Sequence, residues 1–214
     1  GDFVVARQTL EHIKNPHSFV LDMLTALEDG GKICLETPNL DWILDNCTFW
    51  DFYYEHCSYY NKTSYINLLS QHGLSVSKTY YWFDNQYMSV VAELGHDKEM
   101  IIPNSLVTKL NIEKFCQEYQ KKKIRIKNFC LEKSLKGQIS IWGGAAKGIT
   151  FCNIFKDYLK DSVLVDINPI RQKKYVPCTG NAIISPEVLV NIKPETIIVM
   201  NHQYFGEISQ TCKE

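Results

Sequence analysis

No stretch of the chain approaches the ~18 consecutive apolar residues that a bilayer-spanning helix requires, and none joins a basic start to the short apolar core of a secretory signal. Charge of one sign is also lacking. The 23 Lys and Arg against 24 Asp and Glu leave a net charge of -1, which gives no long-range pull toward nucleic acid or an anionic membrane. Paired cysteines are missing too. Cys34, Cys47, Cys57, Cys116, Cys130, Cys152, Cys178 and Cys212 are scattered without a C-x-x-C pair, so neither a zinc cage nor a disulfide framework is spelled out and no metal ligand set is read. The expectation is a soluble, cytoplasmic protein with reduced thiols and with neither nucleic acid nor membrane as partner. What the 214 residues do contain is 45% hydrophobic and 22% charged side chains, enough for one large core or two small ones.

The pattern along the chain predicts an α/β fold. Residues 3–6 are a short apolar run without helical period, and 15–27 carry apolar positions at helical spacing behind Asn15-Pro16. Residues 32–38 read as a buried strand ended by Pro38. Strand, helix, strand is a parallel crossover unit. An aromatic loop follows, then a short helix over 65–72 closed by Gly73. Strands over 74–81 and 87–94 flank the polar turn Asp84-Asn85-Gln86 and should pair as an antiparallel hairpin. Residues 104–133 predict a linker helix with Leu106, Leu110, Phe115, Tyr119 and Ile126 on a rough stripe and Lys121-Lys122-Lys123 as a solvated face. A second crossover series then begins: strand 138–142, a Gly-rich turn, helix 149–159 and strand 162–166. Ser185-Pro186-Glu187 opens another helix with a capping serine, and 196–200 is a further strand. The expected domains are 1–97, a linker helix over 98–135, and 136–214.

The densest chemical signal is Tyr53-Tyr54-Glu55-His56-Cys57-Ser58-Tyr59-Tyr60: a carboxylate, an imidazole and several phenols in one loop. Proton transfer near neutral pH needs such groups. The same residues also suit an aromatic loop that packs an interface, with His56 satisfied by a backbone carbonyl. Leu10-Glu11-His12 lies just past the first strand, and the carboxyl ends of parallel strands are where open α/β sheets take ligands. Both clusters are therefore expected to line one crevice. The competing reading of Glu11 is an acid that offsets a helix dipole. Gly143-Gly144-Ala145-Ala146-Lys147-Gly148 falls between strand and helix, where amides and a helix N-terminus can receive a phosphate. Asp166 ends the next strand, where Rossmann units present a carboxylate to a ribose. The competing reading there is a tight turn without a ligand.

Taken together, Ala6-Arg7-Gln8-Thr9-Leu10-Glu11-His12-Ile13, Glu36-Thr37-Pro38, Tyr53-x-Glu55-His56-x-x-Tyr59 and Trp142-Gly143-Gly144-Ala145-Ala146-Lys147-Gly148 resemble, in order and spacing, the three-domain sugar C-methyltransferases of deoxysugar biosynthesis. The resemblance continues through Asp166-Ile167-Asn168-Pro169, Lys173-Lys174-Tyr175-Val176-Pro177, Ile184-Ser185-Pro186-Glu187 and Asn201 with Glu207-Ile208, and so covers nearly the whole chain. It implies the latter half of a class I methyltransferase Rossmann sheet, ending in the antiparallel hairpin, then the linker helix and a second Rossmann-like domain. The zinc-binding module and the Gly-rich loop that grips S-adenosylmethionine would lie upstream, leaving this chain inactive alone.

In such enzymes a base removes the proton beside a sugar ketone and the enolate takes the donor's methyl group. The resemblance assigns the base to His56. Tyr53 suits the hydrogen bond to the enolate oxygen, and Glu55 suits the orienting of the imidazole. Gln8, Glu11 and His12 fall on the donor side. Gly143, Gly144, Lys147, Asp166 and Asn201 are expected to meet a nucleotide-linked sugar. Two positions depart from the family pattern, Gln8 and Tyr54, where relatives often carry histidine. They keep open a non-catalytic nucleotide-sugar module. An NAD-dependent oxidoreductase built on the later Gly-rich turn is the other alternative, and Lys147 in place of a small residue weighs against it.

Overall fold

The computed structural model describes residues 1–95 and 105–213, with side chains throughout except those of 105–108. Asn104 and the side chain of Leu106, both placed in the linker helix by the sequence pattern, lie outside what is described. The chain divides into two compact units, Gly1–Gln117 and Glu118–Glu214. Each contains one sheet with parallel strands, the Rossmann-like mixed α/β architecture expected. No described helix is long and apolar enough to cross a membrane.

In the first unit, β1 (Phe3–Arg7) and β2 (Lys32–Pro38) pair in parallel from Phe3↔Lys32 to Arg7↔Glu36. The crossover is α1 (Pro16–Thr25), started by Asn15, whose side chain accepts the Ser18 amide at 3.2 Å; Pro16 at its first turn has no N–H to leave unsatisfied. Strand β2 alternates buried Ile33, Leu35 and Thr37 with half-buried Lys32, Cys34 and Glu36, so one face of the sheet is core and the other is open. β3 (Leu74–Trp82) and β4 (Tyr87–Leu94) form the antiparallel hairpin, giving strand order β1-β2-β4-β3. Phe83, Asp84 and Asn85 turn the hairpin in the left-handed region.

Two helices depart from expectation. α2 (Leu40–Asn46) occupies part of the stretch read as an aromatic loop, because Asn39 caps it by accepting the Asp41 amide at 3.2 Å. α3 (Lys62–Ser70) starts before residue 65 because Asn61 and Ser64 exchange side-chain and backbone hydrogen bonds in a capping box. Its Tyr65, Leu68 and Leu69 join Leu10, Ile33, Leu35 and Val90 in the core.

The second unit has strand order β7-β8-β6-β5-β9, formed by β5 (Ile139–Trp142), β6 (Val163–Val165), β7 (Lys174–Tyr175), β8 (Ala182–Ile184) and β9 (Thr196–Val199). All pairs are parallel except β7 with β8. The long helix α4 (Ser105–Ser134) precedes it; on the expected stripe Leu110 is exposed while Phe115, Tyr119 and Ile126 are half-buried. α5 (Ala146–Ile154) begins ahead of residue 149 and ends early, in a 3-10 turn over Lys156–Tyr158. Gly148 sits inside that helix as a packing requirement rather than as a break. α6 (Pro186–Ile192) follows Ser185, which makes no capping bond to the helix backbone. Its hydroxyl instead serves Glu187, a bond that holds that carboxyl below the usual range. α7 (Phe205–Thr211) ends the described chain.

Candidate active site

The exit of β1 is built by a sharp reversal. Gln8 adopts a left-handed φ of 51° while its amide still donates to Glu36 O at 2.9 Å. A 3-10 turn over Leu10–His12 follows, held by a Leu10 side chain with no exposure. That plug drags its neighbour inward. Glu11 is only 1% exposed, and neither carboxylate oxygen has a hydrogen-bond partner among the described residues. Burial pushes its pKa up, against weaker opposing pulls from its own backbone amide, which lies too poorly placed to make a hydrogen bond, and from His12.

The aromatic loop is tied to this turn through the backbone. Glu11 O accepts the amides of Cys57 and Ser58 at 2.6 and 3.2 Å, and the Cys57 thiol lies 3.5 Å from His12 O. Below the loop, the Tyr53 hydroxyl donates to Asp51 Oδ1 at 2.8 Å, and the Tyr53 amide donates to the Tyr59 hydroxyl at 2.7 Å. Phe52 packs edge-on against Tyr59 with centroids 4.9 Å apart. Tyr60, buried, stacks on Tyr65 at 5.0 Å and anchors the far end in the core.

His56 stands at the centre of these contacts. Its ring meets His12 edge-on at 4.7 Å, Tyr53 edge-on at 4.8 Å and Tyr59 at 5.4 Å. Nδ1 is buried without a hydrogen-bond partner among the described residues, so the backbone-satisfied alternative does not describe that nitrogen. Burial and the neighbouring His12 lower its pKa, against opposing pulls from Glu55 and Asp51. The surroundings thus favour the neutral imidazole over its protonated form. Ligand atoms of Glu11, His12 and His56 all lie within 4.8 Å of one another. The two sequence clusters therefore do meet beyond the carboxyl ends of the parallel strands.

The polar groups of other expected residues are engaged elsewhere or face outward. Glu55 is exposed, and the part of it that approaches His12 is its carbonyl, 3.3 Å from Nδ1. Tyr53 is pushed far up by burial and by Asp51, keeps its proton and spends it on that acid. Gln8 donates from Nε2 to Glu36 Oε1 at 3.3 Å, beside Arg7 at 2.6 Å, while Ser89 takes Oε2 at 3.0 Å. Burial alone would raise the Glu36 carboxyl; these bonds overcome it and hold the group low. Asp51, buried and carrying Tyr53, joins the site, and in the sequence only the Asp51-x-Tyr53 spacing signals it.

In the second unit the Gly-rich turn looks inward. The amides of Gly143 and Gly144 both donate to Val165 O, at 2.9 and 3.1 Å. A Cβ on Gly148 would lie 1.9 Å from Gly143 O, so strand and helix touch there. Asp166 is likewise engaged: Oδ1 accepts the Asn168 amide at 2.8 Å and Oδ2 lies 3.4 Å from Arg171 Nη1. Asn201 caps the next turn by accepting the Gln203 amide at 3.2 Å, and Lys147 is half-buried at the start of α5. Gly143 and Asp166, but not Gly144, Lys147 or Asn201, line a hollow of about 320 Å³ with Trp142, Pro186, Tyr204 and Glu207.

Comparison with known proteins bears on both units. No curated protein matches the chain. A family model described as a methyltransferase domain matches residues 2–79, the stretch that holds the Glu11, His12 and His56 meeting point. A second, described as the C-methyltransferase C-terminal domain, matches residues 102–214. Because this second match spans more than half of the sequence, the chain belongs to the C-methyltransferase family that carries that domain.

Proposed function

We propose that the chain serves an S-adenosylmethionine-dependent C-methyltransferase that alkylates a nucleotide-linked keto-sugar through an enolate, with His56 as the base. The observation that carries this reading is the His56 imidazole itself: its proton affinity is lowered by burial, and one nitrogen is buried without a partner. A carbon acid beside a ketone requires such a base near neutral pH. Glu11 fits the cationic donor, since a buried carboxylate with both oxygens unmatched is stabilised by a positive ligand. When bound, the donor supplies a methyl carbon whose bonding pair stays on sulfur as the enolate carbon attacks.

Around that step the chain's own groups have separable tasks. His56 takes the proton from the sugar carbon. Glu11 and His12 form the wall toward the donor, and Gln8 braces it through Glu36. Glu55 acts on His56 through space by favouring its protonated form. Tyr53, with its hydroxyl on Asp51, shapes the ring of aromatics, and it donates to an enolate oxygen only when Asp51 releases it. The hollow beside Gly143 and Asp166 has the size of a small-molecule site and supports a role in holding the nucleotide portion. Gly144, Lys147 and Asn201 support it from the surrounding turns.

In the full-length enzyme, His56→Ala is expected to cost about 10²–10⁴ in turnover, the range for a lost general base, while donor affinity measured by calorimetry stays intact. Unchanged turnover removes His56 from the role. The wild-type kcat/KM should fall on the acid side with a midpoint below the ordinary imidazole value of about 6.5, because the folded environment disfavours the protonated ring. Incorporation of solvent deuterium at the sugar carbon, read by mass spectrometry without donor, separates catalysis from mere nucleotide-sugar binding.

A further inference from the structure

We infer that Glu11, His12 and His56 form a binding site for one divalent transition cation of the zinc class, with a coordination position left open for water or a substrate oxygen. Two imidazoles and one carboxylate are a donor set with which zinc holds three protein ligands and keeps a fourth place free. Here the three ligand atoms already lie within 4.8 Å of one another. Bonds of about 2.0–2.1 Å at tetrahedral angles bring ligands to roughly 3.3–3.5 Å. His12 is exposed, with Nδ1 beside the Glu55 carbonyl at 3.3 Å, and closing that difference requires a shift of its ring.

The second observation is independent of this spacing. Glu11 is 1% exposed, and neither its oxygens nor His56 Nδ1 has a hydrogen-bond partner among the described residues. A carboxylate buried in that way costs several kcal/mol unless a positive charge joins it. A sulfonium answers the charge but has no use for two imidazole lone pairs. A zinc-class ion uses all three groups, whereas calcium and magnesium prefer sites made wholly of oxygen. The inference does not depend on methyl transfer. An ion seated on His56 takes the lone pair that proton removal needs, so metal loading and base catalysis exclude each other at that nitrogen.

The test is calorimetric titration of zinc into the metal-free chain. One saturable event is expected, weakened by about 10–100-fold or more in Glu11→Gln and in His12→Ala, since even outer partners of metal ligands cost that much. His12 is exposed, so its variant keeps the fold if Glu11→Gln does not. His72→Ala, in the separate His17–His72 pair with nitrogens 3.1 Å apart, should bind as wild type. Cobalt in place of zinc should give visible bands of a tetrahedral nitrogen and oxygen site without thiolate charge transfer. Absence of saturable binding, wild-type affinity in both cluster variants, loss in His72→Ala, or a thiolate band from Cys57 or another cysteine each overturns the site.

Discussion

Two strand-exit turns, one in each unit, fall where an open α/β sheet takes ligands, yet they spend their polar groups in opposite ways. After β1, the reversal at Gln8 buries an acid and leaves its oxygens, and an imidazole nitrogen beside them, without partners. After β5, the Gly143-Gly144 turn spends both amides on Val165, and Asp166 spends both oxygens on Asn168 and Arg171. A polar group that is buried and unmatched is expensive, so it persists where something else selects it. A polar group fully matched by its own fold needs no ligand to explain it. The contrast points to chemistry at the first turn and leaves any ligand of the second to the hollow beside it rather than to the turn's own amides.

The strongest way to break that contrast is Gly148→Ala. A methyl group there meets Gly143 O at 1.9 Å, a clash with backbone that no rotamer relieves. The expected cost is about 3 kcal/mol or more, the range of mutations that force backbone to move, seen as a lowered midpoint in chemical denaturation. If the variant is as stable as wild type and binds no nucleotide-sugar less well, the turn is not the packed joint described. Next in size is Tyr53→Phe. It strips a donor from the buried Asp51 and should cost about 1.5–3 kcal/mol, as hydrogen bonds to charged groups do. Loss of turnover at unchanged stability would instead make Tyr53 the oxyanion donor that the sequence suggests.

Strands and hairpin were legible because their apolar alternation and turn residues act locally: β2 and β4 fall at 32–38 and 87–94, as the pattern predicts. The two helices of the first unit that differed were set by caps whose partners are short polar residues. Asn39 opens a helix amid aromatics, and Asn61 with Ser64 opens one ahead of its first apolar position. The site was legible as two motifs in one crevice. Which carboxylate meets His56 was not, because Glu11 reaches it across 45 positions of chain, whereas Glu55 is adjacent and faces outward. Likewise the glycine pattern marks a tight turn, yet nothing in it specifies that the amides find the carbonyl of Val165.

Glu11→Gln has the opposite sign from the two variants above. The folded pKa of Glu11 is raised by burial, so its favourable contribution is complete below the unfolded value of about 4.3 and is lost as pH rises through the folded value. Glutamine carries no such charge. The metal-free variant should therefore match wild type near pH 4 and exceed it near pH 7 by about 1–3 kcal/mol, the desolvation cost of an unmatched group. Thermal melts at the two pH values measure the difference. Lower stability of the variant at pH 7 means that the fold does supply a partner for this acid.

The smallest effect is expected from the acid next to the imidazole. Glu55 is exposed, and the attraction between its carboxylate and His56 passes through water, which screens it. Glu55→Gln should change stability by less than about 0.5 kcal/mol, as surface substitutions do. It should move the His56 titration, followed by ring-proton NMR, slightly further down, since the lost charge favoured the protonated ring. Glu11 is the control for the same spectrum. A large downward move on Glu55→Gln, with none on Glu11→Gln, would return the orienting role to the neighbour in sequence and leave Glu11 as a packed bystander.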